Sequence, residues 1–443
     1  MIPGLLHSVV AGMQLAGAAP PASTVPPPTW HGGIDSLVAA RCGDCHVPDG
    51  AAPFVLASPE DFRPRRTFVA EVVGNRLMPP RLVSGGRPVH GDRTVPETDR
   101  AALLAWLAAG CPTGDPPSGP LLAEEPTDAR PLDASKPPPR LPLRMRSPWT
   151  VPAEGGVRWY KAERDKRTFV LPVGNAGPLR VRALDYRSTA PQTLGAVAFS
   201  ADPTGDGRRM VDWDEEPGSY MMADIRSVPA GAMGIVGPGG GRLEYPEGFY
   251  VPVPPGSDVL SEVHYRPQGR ERVLDDTLVL ETLPKGAPGR PLLPVNLMVP
   301  RVTLAPGETR RYANELTLPV AVDVVALTPR ASARCRSLRL EARLPGSEAA
   351  VSLLEIDDWN PHYRSTLVLK EPFRLPAGTV VRGAWDYDNS AANPRNPVVP
   401  PEATDLGARS GAMNVLLLSA PVERREVREL MEFIEVESRR NRG

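Results

Sequence analysis

Cys42-Gly43-Asp44-Cys45-His46 constrains this chain more than any other stretch. Two cysteines separated by two residues and followed at once by histidine form the signature of covalent c-type haem attachment. On a short helical turn both thiols lie on one side, where they can add to the two vinyl groups of a haem. His46 then presents an imidazole nitrogen to the iron from the same turn. A chain built this way has to fold a pocket around a large, flat, apolar group. Two other readings of a Cys-x-x-Cys stay open at this point. A zinc half-site wants a second Cys/His pair nearby, and none follows. A redox pair belongs in a βαβ setting, whereas these flanks are helical and proline-rich.

The sixth position of a c-type iron is usually taken by methionine or histidine, and methionine raises the reduction potential. Between Met13 and Met145 the only methionine is Met78, in Leu77-Met78-Pro79-Pro80. The two prolines stiffen the loop and remove N–H groups that would otherwise need partners. His90 is the rival ligand, and an open or water-bound iron is the third option.

Helical periodicity surrounds the motif. Ile34, Leu37 and Val38 make the stripe of a helix leading into Cys42, and Phe68, Val69, Val72 and Val73 suggest a second helix running toward Met78. A third is expected after Thr94 and Glu97, which can form a capping box. Leu103, Leu104 and Leu107 line its face, and Gly110 and Pro112 end it. Residues 29–117 therefore read as a small all-α, class I-type cytochrome c.

Residues 1–28 read as a secretory leader: Leu5 to Ala19 is small and apolar, and Ala16-Gly17-Ala18 has the form of a cleavage site. No Lys or Arg precedes Arg41, so the positive start of such a leader is missing. Attachment of covalent haem outside the cytoplasmic membrane adds to the expectation of a periplasmic or secreted protein. No later apolar run reaches the roughly 18 residues of a membrane span. A net charge of −1 gives no hint of nucleic acid or an anionic membrane as partner.

Proline decides the reading of the rest. Its 55 residues among 443 are well above the usual share of about 5%. Residues 118–156, with Pro137-Pro138-Pro139, read as a stiff, partly extended linker. Beyond it the pattern turns to short strands between Gly, Pro and Asp turns. Examples are Phe169 to Val173, Leu179 to Leu184, Val197 to Phe199, Val259 to Val263, Thr277 to Leu280, Leu316 to Val325, Leu338 to Leu344 and Thr379 to Trp385. Such runs indicate two all-β jelly-roll sandwiches, 157–285 and 286–422, divided near Gly286-Ala287-Pro288. Gly237-Pro238-Gly239-Gly240-Gly241 lacks the Lys-Ser/Thr and the helix of a phosphate loop and reads as a turn. Residues 423–443 form a charged helix with Val427, Leu430, Met431 and Ile434 on one stripe.

Two stretches carry a resemblance: Glu262-Val263-His264-Tyr265-Arg266-Pro267 and Tyr387-Asp388-Asn389-Ser390-Ala391-Ala392-Asn393-Pro394, with Arg374-Leu375-Pro376-Ala377-Gly378 a weaker third. Residues 157–422 resemble the copper type II, ascorbate-dependent monooxygenases, the family of peptidylglycine hydroxylating and dopamine β-monooxygenases. The haem segment is similar to the cytochrome that precedes this module in many bacterial relatives. The resemblance implies two copper sites, one held by three histidines, the other by two histidines and a methionine suited to Cu(I). Position by position, His264 matches the third histidine of the first site and Met413 the thioether of the second. The remaining ligands are missing. Leu194-Gly195 stands where a histidine pair is expected, Arg330-Ala331-Ser332 where a His-x-His is expected, and Gly411-Ala412 where an acidic pair usually precedes the methionine. After the linker only His264 and His362 remain, against five histidines in the two-copper mechanism. His362 matches no family ligand and reads as a surface or packing residue. Cys111 and Cys335 are left over from the haem pair and fall in different modules.

The sequence thus points to an exported haem c protein engaged in one-electron transfer, joined to a monooxygenase-like module with degenerate copper sites. Two alternatives stay open. One is an active copper monooxygenase using other ligands. The other is a sandwich that binds a partner or a small-molecule substrate, with the haem as redox reporter. The electron donor and acceptor are not named by any motif.

Overall fold

Alternating apolar residues, with a turn every few positions, make this a chain of sheets: strands take up 40% of it and helices 18%. The computed structural model describes residues 26–80, 83–116, 138–154, 166–212, 214, 216–219, 231–361, 364–407 and 413–440. Nearly all of the leader read at 1–28, much of the spacer read at 118–156, His362, and the Gly411-Ala412 pair lie outside the described residues.

The first sandwich stacks two sheets over one core. One sheet runs Lys166–Pro172, Asp258–Tyr265, Leu194–Asp202, Ala232–Val236. The other runs Arg290–Pro291, Phe249–Val253, Leu179–Arg187, Thr277–Thr282, Arg140–Arg144. Period-two alternation sends Val259, Val263 and Tyr265 into that core. Glu262 and His264 consequently stand on the opposite face of the same strand. The second sandwich pairs the sheet Gly85–Gly86, Ala350–Ile356, Cys335–Arg343, Val380–Asp388, Thr309–Thr317 with the sheet Leu293–Met298, Met413–Pro421, Val322–Ala331, Leu367–Leu375. The helix Val427–Arg440 buries Leu430 and Ile434 in its core, while Met431 of the expected stripe is exposed.

The expectation of a small all-α class I-type cytochrome c followed by two all-β jelly-roll sandwiches is corrected. The chain is mostly β, and its N-terminal part is not a separate all-α domain. Its helices are Ile34–Arg41, Pro59–Phe62, Arg66–Gly74 and Glu97–Ala108, and the second has only four residues. They share a small core in which Trp106 meets Trp30 and Phe62 at 5.7 and 5.0 Å between ring centroids. Between the third and fourth helix, however, the chain leaves them and joins the second sandwich. Gly85–Gly86 adds an edge strand beside Ala350–Ile356, Val89 bridges to Leu369, and Val89 lies in the sandwich core. The reason is local. Ser84-Gly85-Gly86-Arg87-Pro88 has no helical period, and a sheet edge offers the unpaired N–H and C=O groups that such an extended segment needs. At Gly86 the fit requires glycine: its φ is +99°, and a Cβ would come within 2.7 Å of the Leu353 backbone.

Further boundaries move for physical reasons. Thr94 does not cap the fourth helix; its hydroxyl bonds Asp92, and the helix starts behind Pro96 with Glu97 held by Arg76 and Arg100. The run Leu316–Val325 is two strands, Thr309–Thr317 and Val322–Ala331, around a turn. Part of the spacer is strand: Arg140–Arg144 pairs with Thr277–Glu281, and Trp149–Val151 with Arg272–Leu274. The proline in Arg-Leu-Pro-Leu-Arg suits an edge strand, where one ladder donor is dispensable.

Candidate functional site

The first turn of the site follows directly from the helix Ile34–Arg41. Cys42 N–H still bonds Val38 O at 2.8 Å, and the chain then tightens so that Cys45 and His46 N–H both reach Cys42 O. This single turn sets both thiols and the imidazole on the wall of one cavity of about 480 Å³, within the usual range of ligand pockets, roughly 300–1,000 Å³. The same cavity is lined by Met78 and by Leu37, Phe54, Val69, Val72 and Leu103. Its rim holds Phe68, Leu77 and Met78, large apolar side chains left 44–53% exposed. Covering each is worth about 1–2 kcal/mol to an apolar ligand.

The chemistry of each donor is set by its neighbours. His46 Nδ1 lies 2.9 Å from Phe54 O, to which it donates, so the neutral ring keeps its lone pair on Nε2. Burial lowers the His46 pKa, partly offset by that hydrogen bond, and keeps the ring neutral. Burial, with the Cys45 charge adding to it, pushes the Cys42 thiol up to about 11. A redox-active pair instead needs a depressed thiol. Among the described residues no group of three or more His, Cys, Asp and Glu could hold a metal ion. Two thiols, one Nε2 lone pair and one thioether around an apolar cavity are a donor set compatible with a covalently attached haem. His90 does not line this cavity; it borders a pocket of about 50 Å³ against Ser365, Thr366 and Leu367.

Sequence reasoning missed the far wall. Pro238, Arg266 and Asn360, all from the sandwiches, line the same cavity. The Gly237–Gly241 turn reaches it because Gly239, at φ +84°, has no side chain to strike Ala51: a Cβ there would meet the Ala51 Cβ at 2.5 Å. The glycine cluster announced a turn, and nothing local announced what the turn touches.

The residual copper positions are arranged differently. His264 Nε2 donates to Glu262 Oε1 at 2.9 Å, and its Nδ1 accepts from Arg364 at 3.3 Å. Burial lowers the His264 pKa, so this is a neutral ring with both nitrogens engaged. Burial raises the Glu262 pKa, but the hydrogen bond from His264 and the charges of Lys166 and Arg330 outweigh it and hold it down at about 2. The second sandwich meets this sheet at its edge strand, where Ile235 N–H bonds Thr366 Oγ1 at 2.8 Å and Thr366 N–H bonds Ile235 O at 2.9 Å. Met413 pairs with Ala331 and is buried with it in the second core, whereas Arg330 pairs with Asn414 on the other face of its strand. Met413 therefore shares no side with Arg330. These residues do not fit copper: the imidazole lone pair is taken, the thioether is turned away, and guanidinium replaces a ligand. Cys111 and Cys335 are both buried free thiols, one under each module.

Among the described residues no helix is long and apolar enough to cross a membrane. No protein-family model matches the chain, and no curated protein matches it. Solved structures overlap parts of it, among them the following three. An allantoicase is 10% identical over 62% of this chain and 83% of that one, with a TM-score of 0.16. The VP2 subviral particle of infectious bursal disease virus is 10% identical over 66% and 75%, at 0.18. A Paenibacillus xanthan lyase is 14% identical over 70% and 28%, at 0.16. At such scores the likeness supports no inference.

Proposed function

We propose that this chain is an exported c-type haem protein whose chemistry is one-electron transfer. The observation that carries the reading is the single cavity onto which Cys42, Cys45, His46 and Met78 all open. Cys42 and Cys45 would hold the group by thioether bonds. His46 would ligate through Nε2, oriented by the Phe54 carbonyl, since a hydrogen bond on the other ring nitrogen orients a metal-bound imidazole. Met78 would supply a soft sulfur that favours the ferrous state. The apolar walls exclude water, and Arg93 fixes the attachment turn by bonding Asp44 at 2.9 Å. A haem bound there supplies a one-electron iron couple.

On this reading the sandwich pair is a monooxygenase-like module that has lost its copper chemistry and closes the haem cavity instead. Support comes from the engaged nitrogens of His264 and from the opposite facing of Met413 and Arg330. The test is covalent retention. After denaturing electrophoresis the haem should remain with the polypeptide and resist acid-acetone. Haem extracted by that treatment would sink the assignment.

A further inference from the structure

Among the described residues, Arg266 is the one charged group that the sandwiches bring to the cavity wall. It follows the strand Asp258–Tyr265, and its N–H is anchored on Thr193 O at 2.6 Å. Gly195 makes room for it: a Cβ at that position would stand 3.2 Å from Arg266 Nε. Two residues before it on the same stretch, His264 accepts from Arg364 at 3.3 Å. Burial, followed by the charge of Arg330, brings the Arg364 pKa down to about 10; Glu262 opposes this and Arg266 adds to it. Among the described residues, the charged groups acting on Arg364 are thus two cations and one carboxylate.

A porphyrin of the haem class carries two propionate carboxylates. In a cavity walled mainly by apolar side chains, a carboxylate is stable only with charged or hydrogen-bonding partners. We propose that Arg266 binds a haem propionate, backed by Arg364 and Arg330, so that the sandwich module sets the haem potential as well as closing the cavity. This rests on the haem reading above. The balance is electrostatic: a fixed cation beside the haem favours the less positive ferrous iron, and the propionate relieves repulsion among the arginines.

The test uses the full-length, haem-loaded protein and its Arg266→Gln, Arg266→Lys and Arg364→Gln variants. Each is followed by redox titration and by redox-difference infrared spectra of the carboxylate region. Arg266→Gln should shift the ferrous-to-ferric ratio at fixed potential toward ferric by about tenfold, equal to ~59 mV for a one-electron couple. It should also move a propionate band. Arg266→Lys should stay near wild type, and Arg364→Gln should shift the same way by less. If Arg266→Gln does not fold, Arg364→Gln decides through its potential. An unchanged potential and carboxylate band in covalently loaded variants overturns the inference. Wild-type protein without covalent haem overturns instead the haem reading on which it rests.

Discussion

The two candidate metal sites of this molecule hold comparable donors and differ in what those donors face. At the attachment turn, Cys42, Cys45, His46 and Met78 open on a common apolar cavity, and the one hydrogen bond on the ring, to Phe54, leaves Nε2 its lone pair. In the seam between the sandwiches, His264 spends one nitrogen on Glu262 and the other on Arg364, and Met413 is turned into the opposite core. A metal site needs lone pairs converging on one volume. Residue identity at the right sequence position does not provide that.

The largest expected effect falls on the first site. Replacing Cys42 and Cys45 with Ala should abolish covalent haem altogether, read as loss of haem staining on a denaturing gel. Full staining in the double variant would place attachment elsewhere and end the comparison.

Next in size is Met78→Ala. Loss of the thioether should lower the midpoint potential by on the order of 0.1 V, a fraction of the ~0.8 V that axial ligands span. It should also open the iron to small ligands such as cyanide, visible as a Soret shift. A potential and spectrum like wild type would assign the sixth position to another group.

For the seam, metal analysis after incubation with Cu(I) should find no stoichiometric copper in the wild type. The Arg330→His, Ser332→His protein tests the facing of the strand. Any copper it gains should be insensitive to Met413→Ala, because Met413 pairs with Ala331 on the other side. Copper lost together with Met413 would show that the donors do converge.

The smallest effect concerns Asp323, on the same strand as Arg330 and held between two arginines. Burial raises the Asp323 pKa, but hydrogen bonds from Arg374 and Arg290 outweigh it and hold it below the usual aspartate value. A depressed pKa stabilises the fold above the unfolded value, about 3.9. That contribution fades as pH falls through it toward the folded value. Asp323→Asn should cost about 1 kcal/mol at neutral pH, modest because Arg374 is well exposed. It should also flatten the acid-side decline in melting temperature. An acid limb as steep as wild type would assign the acid sensitivity to other carboxylates.

Much of the local structure was legible. The stripe Ile34, Leu37, Val38 gave a helix at Ile34–Arg41, and Val259 to Val263 fell inside Asp258–Tyr265. Where local signals misled, a long-range partner had prevailed. Thr94 found Asp92 before it could cap a helix, and the proline-marked spacer became an edge strand beside Thr277–Glu281. The separate all-α domain failed for the same reason: residues around Gly85 and Val89 have no helical preference and met an open sheet edge.

By itself, the sequence determined which groups this protein owns for chemistry. It has one Cys-x-x-Cys-His, one nearby methionine, and after residue 156 only two histidines against the five of a two-copper mechanism. Those are facts of composition and spacing within a turn or two, and folding cannot alter them. Only the tertiary structure decided what the groups meet. It carried Pro238, Arg266 and Asn360 to the cavity from up to some three hundred positions away. It also filled both nitrogens of His264 and set Met413 and Arg330 on opposite faces. Strand alternation and sheet register settle facing, and register is chosen by burial over the whole sandwich rather than by neighbours along the chain.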